Sequence, residues 1–150
     1  MKGKLTWPIF WALIGVFIVV VCLFFVPAFR DLLRGSEWFL SPIAVFFLLG
    51  VALIFFTLKE KVAGILKKFL LLTGASATGF FVSILLHNAI YGLFIHFFGA
   101  DFWDRIGMGD EPFFFLVAII ICPLGFLVGT VGSIVLANKN RQAKHLSENI

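Results

Sequence analysis

The chain has 150 residues, the length of one domain, with 61% hydrophobic residues, 13% charged residues and a net charge of +4. Soluble domains have about 45–50% apolar and about 25% charged residues, and a fold of this size could not bury so much apolar surface in water. The basic residues lie in short segments between long apolar runs, so the charge indicates membrane topology rather than nucleic-acid binding.

Four apolar segments follow one another along the chain, at about 7–29, 40–58, 69–98 and 112–136. About 20 helical residues cross a bilayer core of about 30 Å, so each segment is long enough to be a transmembrane helix. The third is longer than needed, and we expect it to tilt or to protrude at one end. The predicted fold is an all-α integral membrane protein of one domain, residues 1–150, with four transmembrane helices in a bundle.

Helix-start signals precede three of these spans. Thr6-Trp7-Pro8, Ser41-Pro42 and Asp110-Glu111-Pro112 each place a capping side chain shortly before a proline that suits the first helical turn. The first span follows two lysines, as in a signal peptide. Its apolar run is too long for one and no small-x-small cleavage site follows, so we expect the span to be retained.

Counting basic residues near the span ends predicts the orientation. One side has nine: Lys2, Lys4, Lys59, Lys61, Lys67, Lys68, Lys139, Arg141 and Lys144. The other has three: Arg30, Arg34 and Arg105. The positive-inside rule predicts a multi-pass protein of the cell membrane with both termini cytoplasmic, a short basic tail at 137–150 and short amphipathic outer connections. The two outer connections resemble each other loosely, which fits either a two-plus-two repeat or convergent interface chemistry.

The third span has a polar stripe. Thr73, Ser76, Ser83, His87 and Tyr91 fall within an arc of about 80° on a helical projection, with Asn88 beside it. We expect His87 to lie near the bilayer midplane and to face the fourth span near Ile119 to Pro123, where the proline leaves the carbonyl of Ile119 without its usual partner. Two interpretations stay open: a ligand, proton or ion site lined by Ser83, His87, Asn88 and Tyr91, or interhelical hydrogen bonding that stabilises the bundle.

Small residues mark close helix contacts in the third and fourth spans. The predicted packing residues are Gly74, Ala75, Thr78, Gly79, Gly125, Gly129 and Ser133. Residues of this size let two helix backbones approach closely, either within the chain or between two copies. Pro123 is expected to kink the fourth span.

No motif indicates catalysis, a cofactor or a metal site. The sequence has no HExxH, no GxSxG and no glycine-rich phosphate loop, and Cys22 and Cys122 lie in separate apolar runs. His96 and the acidic residues after it suggest either a surface cation site or, with Arg105, a salt-bridged loop. We expect the loop.

These features predict a non-catalytic membrane subunit or packing partner, acting as an oligomer or within a complex. The alternative is a small oligomeric transporter or channel protomer that uses the polar stripe of the third span. The expected partners are the lipid bilayer and either a second copy or another membrane protein, with no nucleic acid and no cofactor.

Overall fold

The computed structural model describes residues 4–28 and 41–148, and within them all regular structure is helical. Four helical stretches in this part of the chain are long and apolar enough to cross a membrane. The predicted fold class, an all-α four-helix membrane bundle, is confirmed. In hydrocarbon every backbone N–H and C=O must be paired, which a helix achieves along its own length. The first predicted outer connection, with Arg30 and Arg34, lies outside the described residues, as does Lys2.

Helix α1 spans Thr6–Phe25 and buries Phe10 and Leu13 completely. Val26 ends the helix in an extended conformation. Pro27 follows it, and the residue before a proline is disfavoured in helical angles. The sequence predicted that the first span would end at about residue 29, whereas helix α1 ends at Phe25.

Helix α2 spans Ser41–Lys59 and buries one residue every three or four positions. These are Ile43, Phe46, Gly50, Leu53 and Thr57. A short turn leads into helix α3, Gly64–Phe98. Lys61 and Gly64 adopt positive φ angles of 51° and 70° in this turn. Helix α3 therefore begins at residue 64, before the predicted start at 69, because the turn is short.

The carboxylate of Glu60 in this turn binds the N-terminus of α1. Its Oε1 accepts a hydrogen bond from the N–H of Leu5 (2.9 Å), and its Oε2 accepts from the N–H (3.2 Å) and hydroxyl (2.6 Å) of Thr6. The first N–H groups of a helix have no partner within the helix, and negative charge is favourable there. The prediction that Thr6 caps α1 is wrong: Thr6 is the first helical residue and Glu60 supplies the cap.

The end of α3 extends beyond the ends of the other long helices. His87 lies beside Glu111, where the fourth span begins, and the ring of Phe81 packs on that of Phe47, near the start of α2. Residues 88–98 therefore rise about 16 Å past that level, at about 1.5 Å per residue. Of the described residues of α3, none after Ser83 is buried. We call residues 88–98 and the short helix α4, Phe102–Arg105, the overhang.

The overhang has its own aromatic packing. Gly99 ends α3 with a φ of 98°, which lets the chain reverse so that α4 folds back on α3. The rings of Tyr91 and Trp103 stack at 5.9 Å, and the indole N–H of Trp103 donates to the carbonyl of Tyr91 (3.3 Å). The ring of Phe94 lies 5.5 Å from that of Trp103. The expected protrusion of the third span is thus a short folded unit.

The fourth span consists of helix α5 (Pro112–Leu116), a π-helical segment (Val117–Ile121) and helix α6 (Cys122–Glu148). The wider π turn ends two residues before Pro123, whose ring would clash with the carbonyl of Ile119 in a regular α-helix. The helix continues past the predicted end at residue 136, because no glycine or proline follows before Glu148. The predicted tail, 137–150, is therefore helical as far as residue 148.

The long helices pack in chain order, α1 on α2, α2 on α3, and α3 on the fourth span. Glycines bring backbones into contact at two of these interfaces. A Cβ added to Gly74 would lie 2.9 Å from the carbonyl oxygen of Gly50, and one added to Gly129 would lie 2.7 Å from the amide nitrogen of Thr73. These small residues therefore form contacts within the chain.

The other predicted packing residues lie as follows. Gly125 faces Ser76 of α3, Gly79 faces the thiol of Cys122, and Thr78 lies against Gly50 of α2. Ser133 is fully buried. Ala75, predicted to share these contacts, is exposed instead, because the close α2 and fourth-span contacts involve residues on either side of it.

Candidate functional site

His87 binds two acidic residues at the start of the fourth span. Its Nδ1 lies 3.0 Å from the carbonyl oxygen and 3.4 Å from the carboxylate Oε2 of Glu111, and its Nε2 lies 3.4 Å from Oδ2 of Asp110. The ring of Phe115 lies 5.7 Å from the imidazole ring. The His87 side chain is 16% exposed and that of Glu111 7%. His87 and Glu111 are therefore largely buried, whereas the side chain of Asp110 is 53% exposed.

Glu111 also caps the helix that follows it. Its carboxylate accepts hydrogen bonds from the N–H groups of Phe113 (2.8 Å) and Phe114 (3.0 Å), and Pro112 occupies the first helical position. The Glu111 N–H donates to Oδ1 of Asp110 (2.7 Å). Free N–H groups and the positive end of the helix dipole stabilise a buried carboxylate. The predicted Asp-Glu-Pro helix start is confirmed, with Glu111 as the cap.

The surroundings of His87 determine what this cluster can do. Both ring nitrogens face oxygen atoms that act as acceptors, whereas a neutral imidazole has one N–H and only the protonated ring has two. His87 therefore joins α3 to the start of the fourth span through both of its ring nitrogens. Among the described residues, no group of three or more His, Cys, Asp and Glu side chains could hold a metal ion.

His87 has a different hydrogen-bond partner from the predicted one. It faces the fourth span, but its hydrogen bonds are to Glu111 rather than to the backbone near Ile119 to Pro123. The physical reason is the length of α3. Counted from Phe69, just after the Lys67-Lys68 pair, His87 lies about 27 Å along the helix, near the far edge of a core of about 30 Å rather than at its midplane.

An apolar cleft of about 480 Å³ lies next to this cluster. Its walls are formed by residues 17–25 of α1, residues 76–88 of α3 and residues 115–126 of the fourth span. His87 and Asn88 lie at one end and Ser76 at the other. Ile119 and Pro123, the predicted neighbours of His87, line its wall.

Phenylalanine rings close the cleft at the Ser76 end. The rings of Phe17 and Phe126 stack at 4.4 Å, and that of Phe46 lies 5.3 Å from Phe126. Phe80 completes the group with an edge contact to Phe46 at 6.3 Å. One ring comes from each long helix, so this cluster joins the whole bundle.

The predicted site residues do not meet in one place. His87 and Asn88 border the cleft, and Asn88 donates to the carbonyl of Ile84 (2.8 Å). Ser83 is buried, and Tyr91 packs on Trp103 in the overhang. One stripe on a straight helix therefore passes through three environments.

The loop after α3 contains an ion pair. Asp101 pairs with Arg105 (3.4 Å), and Arg105 also donates to the carbonyl of Phe98 at the end of α3. This is the salt-bridged loop that we expected.

Asp110 and Glu111 are the site residues that sequence reasoning missed. The capping of the fourth span at this point was readable from the Asp-Glu-Pro order. Their position beside His87 could have been predicted by counting residues of the third span from Lys67 and Lys68. That count places His87 near the level at which the fourth span begins.

Comparison with protein-family models, with curated proteins and with solved structures finds no match for this chain.

Proposed function

We propose that the chain is a non-catalytic subunit of a membrane complex, acting as an oligomer or together with another membrane protein. The overhang carries this proposal. Counted from Phe69, just after the Lys67-Lys68 pair, helix α3 is about 45 Å long, whereas the hydrocarbon core is about 30 Å thick. Tilt alone would have to reach about 48° to hold this part in the core, and transmembrane helices tilt by up to about 40°.

The overhang exposes large apolar side chains, besides the polar Asn88, His96, Asp104 and Arg105, although it extends past the ends of the other long helices. Leu93, Phe97 and Phe98 are 51%, 68% and 56% exposed. Contiguous apolar surface outside the hydrocarbon core marks a contact with another protein. A neighbouring subunit with an apolar surface at the same height would cover these side chains.

A photo-crosslinking experiment tests this contact. Benzoylphenylalanine replaces Phe97 in one variant and Phe55 in another, since Phe55 of α2 is also an exposed phenylalanine (55%) but lies within the bundle's length. We expect Phe97 to crosslink to a second polypeptide in native membranes and Phe55 to crosslink mainly to lipid. Mass spectrometry of the product identifies a second copy or a different protein. Crosslinks from Phe97 that stay within one chain or reach only lipid would contradict the proposal.

We further propose that the protein lies in the cell membrane with both termini in the cytoplasm. The turn at Glu60, the start of α1 and the end of the fourth span lie at one end of the bundle, since Glu60 binds Thr6 and Gly132 packs on Phe69. The basic residues Lys59, Lys61, Lys67, Lys68, Lys139 and Arg141 therefore share that end. Basic residues of short segments favour the cytoplasmic side.

A transporter or channel protomer is the second candidate, because His87, Asn88 and Ser76 line a cleft. A solute that entered there would meet the rings of Phe17, Phe46 and Phe126 before it reached the basic end. Ion pathways through membranes are lined by polar or charged groups. The phenylalanine closure therefore favours the subunit over the transporter.

A further inference from the structure

We propose that the cleft between α1 and the fourth span holds one acyl chain of a bilayer phospholipid, with the ester region of the lipid at the level of His87 and Asn88. This binding site goes beyond the proposed subunit role. It depends on the cleft, whereas the subunit role depends on the overhang.

The depth of the cleft matches one lipid leaflet. From Ser76 at the closed end to His87 at the open end is 11 residues of α3, about 16 Å. Half of a hydrocarbon core of about 30 Å is about 15 Å. A chain lying in the cleft would thus start where the acyl chains of that leaflet start and end near the bilayer midplane.

The volume and the floor also suit a single chain. At about 30 Å³ per water-sized group, 480 Å³ accommodates on the order of 16 methylene groups. The stacked rings of Phe17 and Phe126 form an apolar floor on which the end of a chain can pack. The walls are apolar apart from Ser76, His87, Asn88 and Cys122.

The cleft is accessible from the side. Helix α1 packs along α2, and it touches the fourth span at the stacked rings of Phe17 and Phe126. Phe25 and Ile119, which line the cleft on its two sides, are 81% and 54% exposed. A phospholipid can therefore place one chain in the cleft while its second chain stays in the bilayer.

The open end distinguishes a phospholipid from a free fatty acid. Asp110 and Glu111 lie beside His87 there, so the carboxylate of a fatty acid would face two acidic side chains. The glycerol esters of a phospholipid carry no charge at this depth, and its phosphate lies further out.

The test uses the full chain in nanodiscs of phosphatidylcholine that contains a small fraction with a diazirine in one acyl chain. We expect saturable labelling of residues 17–25 and 115–126. Val21 lines the cleft on the α1 side, and Val21→Trp fills the cleft with the indole ring. We expect this variant to reduce the labelling about fivefold or more. Val19→Trp is the matched control, because Val19 is an exposed residue of the same helix that does not line the cleft.

A second pair of variants covers the case in which Val21→Trp does not fold. Ile119→Trp fills the other wall, and Val128→Trp is its control on the fourth span, since both residues are exposed and only Ile119 lines the cleft. Equal cleft labelling in filled and control variants would overturn the proposal, because ordinary lipid contact would then explain it. Labelling by diazirine palmitic acid but not by the phospholipid would also overturn it.

Discussion

Glu60 connects two helices that are distant in sequence, because its carboxylate caps the first turn of α1. The hydroxyl of Thr6 and the N–H of Leu5 donate to it, and these hydrogen bonds lower the pKa of Glu60 from its ordinary value of 4.5. A lowered pKa in the folded state means that ionised Glu60 stabilises the fold. This contribution is complete above the ordinary pKa and is lost as the pH falls through the lowered one.

We expect the thermal unfolding midpoint in detergent to include a fall below pH 4.5 that depends on Glu60. In Glu60→Gln, which has no charge to lose, this part of the fall should be absent and the midpoint at pH 7 should be lower. Asp104→Asn makes the same chemical change at an exposed residue of α4 and should keep the fall of the parent protein. An identical pH profile for Glu60→Gln and the parent would show that the cap does not contribute to stability.

His87 decides between the structural and the transport interpretations. His87→Ala removes the hydrogen bond from the imidazole to the carbonyl of Glu111, and we expect a loss of about 1–3 kcal/mol in the free energy of unfolding. His96→Ala changes an exposed histidine and should stay within about 0.5 kcal/mol. Proteoliposomes of the parent should show no ion or proton flux. A flux that His87→Ala abolishes without affecting stability would support the transporter instead.

At the residue scale, the chemical character of these groups could be predicted but their partners could not. The stripe of α3 identified His87 as a side chain that needs hydrogen bonds. Its partners come from a loop 24 residues further along the chain. These groups meet because of the position of α3 relative to the fourth span along the bundle axis. The helical periodicity of one span does not predict that position.

At the scale of the helices, the tightest contact is between α3 and the fourth span. A Cβ on Gly129 would lie 2.5 Å from the hydroxyl oxygen of Thr73 and 3.0 Å from the carbonyl oxygen of Phe69. The hydroxyl can rotate, but the backbone atoms can move only if the helices separate. Spacing of small residues predicted that such contacts exist, and the structure shows that they occur within the chain.

We therefore expect Gly129→Ala to lower the free energy of unfolding by about 1–3 kcal/mol through overpacking. Gly15→Ala is the matched control, because no atom lies within 4 Å of a Cβ at Gly15 of α1. Alanine favours a helix over glycine by up to about 1 kcal/mol, so the control should be neutral or slightly stabilising. Chemical denaturation in mixed micelles measures both. Equal effects of the two changes would mean that helices α3 and α6 are not in close contact.

Helix ends were predictable where local chemistry determines them. The Glu111-Pro112 pair marked the start of the fourth span, and Pro27 marks the end of α1, although the predicted span ran past it to residue 29. The fourth span was predicted to end at residue 136 because the charged and polar residues after it were taken as an end signal. Lysine, arginine and glutamine are good helix formers, and helix α6 continues to Glu148. The π segment before Pro123 was not predicted, since a proline signals a disturbance of the helix but not its form.

At the scale of the whole molecule, run length and composition were enough to predict the fold class, because hydrocarbon leaves few ways to pair a backbone. The cleft and the overhang could not be predicted. The cleft arises because α1 packs along α2 and approaches the fourth span at the Phe17–Phe126 ring contact. The overhang arises because α2 and the fourth span begin near the level of His87. Both depend on how the helices are placed relative to one another.

The proposed orientation can be tested with single cysteines in a variant whose Cys22 and Cys122 are alanines. Met108→Cys lies in the loop before the fourth span and should react with an impermeant maleimide added to intact cells. Ala63→Cys lies in the turn between α2 and α3 and should react only after the membrane is permeabilised. The positive-inside rule is the reason for both expectations. The opposite pattern would place the termini outside.

The Glu60 cap also has a consequence for synthesis of the chain. The first N–H groups of α1 pair with a carboxylate that leaves the ribosome 54 residues after Thr6. Until the turn after α2 has emerged, water must hydrate these groups, so α1 cannot reach its final state on insertion. We therefore expect α1 and α2 to settle in the bilayer together, once Glu60 reaches the start of α1.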